Sequence, residues 1–171
     1  MKSKRVKALV EISLMVALLS VVSQISIPTV FSVPITLQIF AVCLIGYLFG
    51  IKKSLLTIFI YIVIGAIGIP VFANFGGGIF HLISYTGGFV WGFIPLVTLC
   101  SLKTGRLKIP MGALGVFICH FVGVIQYSLI GKLSFFTALL TVSLPYIIKD
   151  ISLVILAFFV AKILKKRIQT S

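Results

Sequence analysis

The strongest constraint on this chain is a series of long apolar runs, each close to the length of a helix that crosses a lipid bilayer. Such a helix needs about 20 consecutive, mostly apolar residues. The runs fill most of the 171 residues, so that 60% of the residues are hydrophobic and only 10% are charged. Soluble domains are about half apolar and about a quarter charged. We therefore expect an integral membrane protein.

Breaks between these runs predict six helices. Backbone groups that face lipid need internal partners, and apolar runs without strict alternation favour helices over a barrel. The first run follows a basic cluster, as in a signal peptide, but it is longer and lacks an A-x-A-like cleavage site, so we expect it to be retained. The predicted fold is all-α, a single domain over residues 1–171 built as one bundle of six transmembrane helices. The helices are expected at residues 7–27, 35–50, 52–70, 86–102, 110–131 and 144–163.

The basic residues predict the orientation of this bundle. Cytoplasmic loops of membrane proteins carry the excess of Lys and Arg. With both termini in the cytoplasm, every one of the 15 Lys and Arg residues except Lys132 and Lys149 lies on the cytoplasmic side, including those of the 103–108 loop. The net charge of +13 is then explained by topology and by contact with anionic lipid headgroups. Nucleic acid is not an expected partner, because the charges are scattered over helix ends.

Three segments that are rich in polar, aromatic, Gly and Pro residues are expected to meet at the outer face. They are residues 23–38, 70–93 and 145–150. Small-molecule pockets combine apolar walls with a few polar groups, as these segments do. The alternative is that they are simply extracellular turns. The presence of Asp150 in the third segment favours a binding site.

Asp150 is one of only two acidic residues, and the other is Glu11 near the opposite face. An ionisable residue inside a membrane helix is costly and is a functional candidate by default. One alternative is a neutralised pair with Lys149 or Lys132 that only holds the top of the helix. Adjacent helical residues point about 100° apart, so we expect Lys149 and Asp150 to address different parts of a ligand. Proton-coupled transport is a further alternative, although no relay partner for Asp150 is evident.

The sequence predicts neither an enzyme nor a metal site or cofactor. The three cysteines lie in apolar helices without CxxC spacing, and His81 and His120 lack both an HExxH motif and a carboxylate partner. Neither GxSxG nor the phosphate-binding GxxxxGK[ST] motif is found. We therefore expect a binding or transport protein that does not itself hydrolyse ATP.

Four motifs, in their order and spacing, resemble the BioY family. They are "SQISIP", "VPITLQ", "GAIGIPVFANFGGG" and "YTGGFVWGF". Members of this family are biotin-binding S components of energy-coupling factor (ECF) transporters in the plasma membrane of prokaryotes. The resemblance implies an outward-facing binding subunit that delivers biotin when coupled to a transmembrane T component and two cytoplasmic ATP-binding subunits. The alternatives are an S component for another vitamin, such as thiamine or riboflavin, and a stand-alone secondary transporter.

The resemblance also implies which residues bind the ligand. Asn74 matches the loop asparagine that binds the ureido ring of biotin, and Asp150 matches the aspartate of the last helix that serves the same ring. Gln38 and Tyr85 are further candidates for the pocket. Aromatic residues expected to enclose the ring and the aliphatic tail are Phe72, Phe75, Tyr85 and Trp91.

The last helix departs from the family pattern. Members of the family often carry the motif PGDxxK in this helix. Here Ile148, Lys149 and Asp150 occupy the positions of its P, G and D, and Leu153 occupies the position of its lysine. Either Lys149 takes over the carboxylate of the valerate tail, or the tail is held differently.

Small residues on the first helix predict a second functional surface. Ser13 and Ala17 form a small-xxx-small pair, followed by Ser20, and such a pair lets another helix approach closely. Spacing alone favours packing within the same bundle. The resemblance instead implies docking on the T component, because S components of this family use an AxxxA-type first helix, in which Ser13 here replaces the first alanine.

Overall fold

A computed structural model describes residues 2–31, 33–102 and 105–170. Lys103 and the side chains of Lys2 and Lys4, which enter the predicted charge distribution, lie outside this description. The protein is mostly helical. The α-helices are α1 (Lys2–Ser23), α2 (Gln38–Leu48), α3 (Ile51–Ala66), α4 (Ile79–Leu82), α5 (Gly87–Cys100), α6 (Lys108–Gly131), α7 (Phe135–Val142) and α8 (Leu144–Thr170). Two 3₁₀ turns lie at Ala73–Phe75 and Gly105–Leu107.

The six predicted helical ranges each coincide with one long helix, but several bounds differ. The first helix ends at Ser23 because the chain turns into a short antiparallel hairpin. In it β1 (Ser26–Ile27) pairs with β2 (Ile35–Thr36). The expectation of an all-α fold was therefore wrong for this segment. The short helices α4 and α7 were also not predicted.

By length and composition, two stretches among the described residues could cross a bilayer. They are Arg5–Ser23 in α1 and Gly105–Gly131, which includes α6. The helices Gln38–Leu48 and Gly87–Cys100 are apolar but shorter.

Helix α2 forms the centre of the bundle. Nine of its 11 residues are buried, and α5, α8 and α1 pack around it. Helix α5 packs closely along α6 because glycines line the contact. A Cβ atom at Gly88 would lie 2.8 Å from the carbonyl oxygen of Val122 and 2.9 Å from the Cα of Gly123. A larger residue at Gly88 would force these two helices apart.

Glu11, the acidic residue at the opposite end of the bundle from Asp150, forms an ion pair. Glu11 Oε2 on α1 lies 2.5 Å from Lys53 Nζ at the start of α3. The ammonium of Lys53 also lies 5.4 Å from the ring centroid of Phe49. This ion pair joins α1 to α3 and leaves Asp150 as the acid beside the irregular loops.

Candidate ligand-binding site

A cavity of about 560 Å³, including its open mouth, lies where α2, α5 and α8 begin and reaches the middle of α6. Apolar atoms form most of its surface, although half of its lining residues are polar. The polar side chains that line it are Thr36, Gln38, His81, Thr86, His120, Tyr146, Lys149 and Asp150.

Asp150 lies at this cavity and is only 4% exposed. Its Oδ2 lies 3.0 Å from His120 Nε2, and its Oδ1 lies 2.6 Å from Lys149 Nζ. Oδ1 is held in this ion pair, although the contact does not have good hydrogen-bond geometry. A carboxylate oxygen has two lone pairs, so Oδ1 can accept a further donor beside Lys149.

The structure differs from two expectations for these residues. The side chains of Lys149 and Asp150 meet in an ion pair, as in the alternative of a neutralised pair. The Nζ of Lys149 also donates to the carbonyl oxygen of Thr36 at 2.9 Å. His120 does have a carboxylate partner, which sequence reasoning missed because it lies 30 residues before Asp150 and on a different helix.

Gln38 lines the cavity in an orientation that a buried network fixes. Its Nε2 donates to Ser23 Oγ at 3.1 Å and to the hydroxyl of Tyr61 at 3.0 Å. The Tyr61 hydroxyl donates in turn to the carbonyl oxygen of Val71 at 3.0 Å. The network links the ends of α1 and α3 to the start of α2, so it holds the cavity wall in place.

Asn74 and Tyr85 line an outer depression of about 620 Å³, which we call the vestibule. The vestibule shares four lining residues with the cavity: Pro34, Ala73, His81 and Thr86. Asn74 has a left-handed backbone, with φ of 56°, and its Oδ1 accepts a hydrogen bond from Ser26 Oγ at 2.6 Å. The structure thus places Asn74 and Tyr85 next to the cavity but outside its wall.

His81 stands between the two spaces. Its ring stacks on Phe72, with 4.9 Å between centroids, and its Nε2 lies 3.2 Å from Thr86 Oγ1. Burial lowers the pKa of His81 below its ordinary value, which favours the neutral imidazole.

The aromatic wall differs from the predicted one. Phe75 is 72% exposed, and Trp91 does not line the cavity but donates its indole N–H to the carbonyl oxygen of Leu82. Phe72 is buried behind His81. Phe89 and Phe93 line the cavity instead. Their spacing of four residues, which places them on one helix face, was the signal that could have identified them.

Gln24 is a further residue that sequence reasoning missed, although it lies in the "SQISIP" motif. Its Nε2 donates to the carbonyl oxygens of Pro70 at 3.3 Å and Phe72 at 3.2 Å, and its Oε1 accepts from the backbone N–H of Phe75 at 2.9 Å. The amide thus fastens the loop that carries Asn74 to the end of α1.

The first helix presents Ser13 and Ala17 away from the bundle. Both are exposed, whereas Ile12, Val16 and Leu19 on another face of the helix are buried in the core. Packing within the bundle therefore does not explain this small-residue pair.

Ser20, the third small residue of α1, is placed differently. It is half-buried, and its hydroxyl donates to the carbonyl oxygen of Val16 at 2.9 Å. Its hydrogen-bonding capacity is thus used within its own helix.

Comparisons with known proteins agree with one another. Residues 1–170 match the BioY family. A probable biotin transporter BioY of Pyrococcus horikoshii is 38% identical over 151 residues, which are 88% of this chain and 90% of that protein. The biotin transporter BioY2 of Lactococcus lactis subsp. cremoris is 35% identical over 139 residues, 80% of this chain and 75% of its own length.

The fold is also similar to a solved structure. The crystal structure of the S-component for biotin from an ECF-type ABC transporter superposes with a TM-score of 0.89 over 97% of this chain and 94% of that chain. The sequence identity is 24%, so this comparison is evidence for the fold.

Proposed function

The chain belongs to the BioY family, as its four sequence motifs predicted, and on this premise we propose that it is the biotin-binding S component of an ECF-type vitamin transporter. It captures biotin at the outer face and delivers it inward when coupled to a T component and two ATP-binding subunits. The prediction that the chain is not an enzyme is confirmed by its membership of a transporter family.

The observation that carries this proposal is the buried carboxylate of Asp150 beside the cavity, whose oxygens can accept a further donor in addition to their contacts with Lys149 and His120. The ureido ring of biotin offers two N–H donors and one carbonyl acceptor. A carboxylate accepts such donors in charge-assisted hydrogen bonds, which are stronger than neutral ones. The apolar wall, which includes Phe89 and Phe93, suits the sulfur-containing ring and the aliphatic tail.

Lys149 is the proposed partner of the valerate carboxylate. Its ammonium has three donors, and the described contacts involve the carbonyl oxygen of Thr36 and the carboxylate of Asp150. One donor therefore remains for a ligand carboxylate while the bond to Thr36, in the hairpin that borders the cavity, is kept.

Asn74 is proposed to reach the same ureido ring from the vestibule. Ser26 Oγ donates to its Oδ1, and the amide would need to turn toward the shared wall. Gln38 and Tyr85 are proposed contacts in the cavity and the vestibule, respectively. Phe89 and Phe93 line the cavity, whereas Phe75 and Trp91 do not, so we assign the aromatic contacts to Phe89 and Phe93.

We propose that α1, α2, α3, α5, α6 and α8 all cross the plasma membrane of a prokaryote, with both termini in the cytoplasm. The cavity lies at the end of α1 and α3 that is opposite to the Glu11–Lys53 pair, and this separation supports an outward-facing site. The exposed face of α1 with Ser13 and Ala17 is the proposed contact with the T component, and Ser20 is at its margin.

The pair of His120 and Asp150 favours one other function, a proton-coupled carrier that works without an ATPase. Buried His and carboxylate groups are typical of proton relays. A carrier needs an ion gradient for transport, whereas an S component binds its vitamin at equilibrium.

Calorimetric titration of the purified protein in detergent with biotin, thiamine and riboflavin tests the proposal. We expect saturable binding of biotin alone, with no gradient present. Binding of thiamine or riboflavin in preference to biotin, or no binding of any of the three by folded protein, would contradict it.

A further inference from the structure

His120 has an acceptor atom at the cavity that no described residue uses. It lies in the middle of α6, and its side chain is only 4% exposed. Its Nε2 contacts Asp150 Oδ2, whereas its Nδ1 is buried without a hydrogen-bond partner. Since buried polar atoms are nearly always paired, an unpaired one beside a cavity indicates a missing partner.

The contact with Asp150 determines which ring nitrogen carries the proton. An ionised carboxylate only accepts hydrogen bonds, so Nε2 is the N–H donor of this pair. With the proton on Nε2, the other ring nitrogen, Nδ1, is a hydrogen-bond acceptor.

We propose that His120 Nδ1 is the acceptor for one N–H group of the ligand. This atom is buried without a hydrogen-bond partner, and His120 lines the cavity together with Asp150, which is already ion-paired with Lys149. The inference rests on the proposed function, because the ureido ring of biotin presents two N–H donors. A ligand without a donor for Nδ1 leaves this buried acceptor unpaired. His120 thus determines specificity for cyclic ureas.

The first test combines biotin methylated at one or the other ureido nitrogen with a histidine variant. Each methylated ligand lacks one donor, and we expect the wild-type protein to bind at least one of them roughly tenfold more weakly or worse than biotin. His120→Gln keeps a side-chain N–H donor for Asp150 but has no acceptor at the position of Nδ1. In this variant biotin should bind about tenfold more weakly than in the wild type. Methylation of the ureido nitrogen that faces His120 should then reduce the affinity by no more than about threefold.

This design separates a hydrogen bond from a steric effect. A methyl group that merely collides with the wall would weaken binding equally in the wild type and in His120→Gln. If His120 only orients Asp150, the glutamine retains that role and the cost of methylation also stays the same.

Nitrogen NMR on the unaltered protein gives an independent readout. The chain has two histidines, so ¹⁵N-histidine labelling gives a simple spectrum, which His120→Gln assigns. We expect the Nδ1 signal of His120 to be that of an unprotonated nitrogen and to shift on addition of biotin, while Nε2 stays protonated.

Two results would overturn this inference and leave the proposed function intact. One is that methylation reduces the affinity equally in the wild type and in His120→Gln, and the other is a protonated Nδ1 in the biotin complex. Folded wild-type protein that binds no biotin would overturn the proposed function and the inference with it. The two failures are therefore distinguishable.

Discussion

Among single residues, Asp150 is the centre of the site. Its neighbours balance its negative charge but leave part of its hydrogen-bonding capacity for a ligand. Lys149 balances its charge from one side and His120 contacts it from the other, yet Oδ1 keeps its capacity to accept. A buried carboxylate without such neighbours would cost several kcal/mol, at least ~2.5–3.5 on membrane-insertion scales. The neighbours therefore make the acid tolerable inside the bundle while Oδ1 can still accept a hydrogen bond from a ligand.

Replacement of Lys149 tests its proposed role in binding the ligand carboxylate. Lys149→Met keeps most of the aliphatic stem but removes the charge, so biotin should bind at least about tenfold more weakly, because a charge-assisted hydrogen bond contributes about 1.5–3 kcal/mol. Biotinamide, which lacks the carboxylate, should lose less affinity. Calorimetry with both ligands measures the difference.

Lys132→Met is the matched control, since Lys132 is the other basic residue predicted on the outer side and does not line the cavity. It should bind both ligands like the wild type. An equal loss for biotin and biotinamide in Lys149→Met would show that Lys149 acts only by balancing Asp150.

At the scale of elements, the irregular segments are held by side chains of distant helices. The hydroxyl of Tyr146 on α8 donates to the carbonyl oxygen of Val33 at 2.8 Å, and that of Tyr127 on α6 donates to Phe31 at 3.2 Å. Lys149 adds its bond to Thr36. The hairpin of β1 and β2 is therefore held mainly by these side-chain hydrogen bonds from α6 and α8, because its own strands are only two residues long.

The exposed face of α1 leads to a prediction about assembly. Ala17→Trp should abolish co-purification with the T component and ATP-driven uptake, because the bulky ring prevents close approach of another helix. Biotin binding should stay within about threefold of the wild type, since Ala17 is exposed and α1 contributes no residue to the cavity wall.

Leu156→Trp on α8 is the control for added bulk on an exposed helix surface, as Leu156 is 52% exposed. It should assemble and transport normally. If Ala17→Trp does so too, the small-residue face of α1 contacts lipid and not the T component.

At the scale of the whole molecule, the charge distribution predicts which loops face the cytoplasm. The native cysteines Cys43, Cys100 and Cys119 are all buried, so they should add little background to a labelling experiment. In intact cells, Arg106→Cys should react only with a membrane-permeant maleimide. Phe80→Cys, at a position that is 78% exposed beside the cavity, should react with an impermeant maleimide as well. The reverse pattern would overturn the orientation and the outward-facing site.

The sequence predicted the long helices and the family but not the details of the site. Apolar runs and breaks report helix positions directly, which is why each of the six ranges coincided with a helix. The hairpin was missed because its strands are two residues long and stabilised by distant partners. The partnership of His120 with Asp150 was missed because it joins residues on two helices, and a single sequence does not show which helix faces meet.

The central claim is that the carboxylate of Asp150 binds the ligand, and calorimetric titration of Asp150→Asn with biotin tests it most directly. The substitution keeps the size of the side chain but turns part of an acceptor into a donor that faces a ligand donor. With about 1.5–3 kcal/mol lost from charge-assisted bonds and about 1–3 kcal/mol added by an unpaired buried group, affinity should fall by roughly 10²-fold or more in a folded, monodisperse variant. Wild-type affinity in that variant would contradict the account, and Asp150 would then serve only to hold α8 against α6.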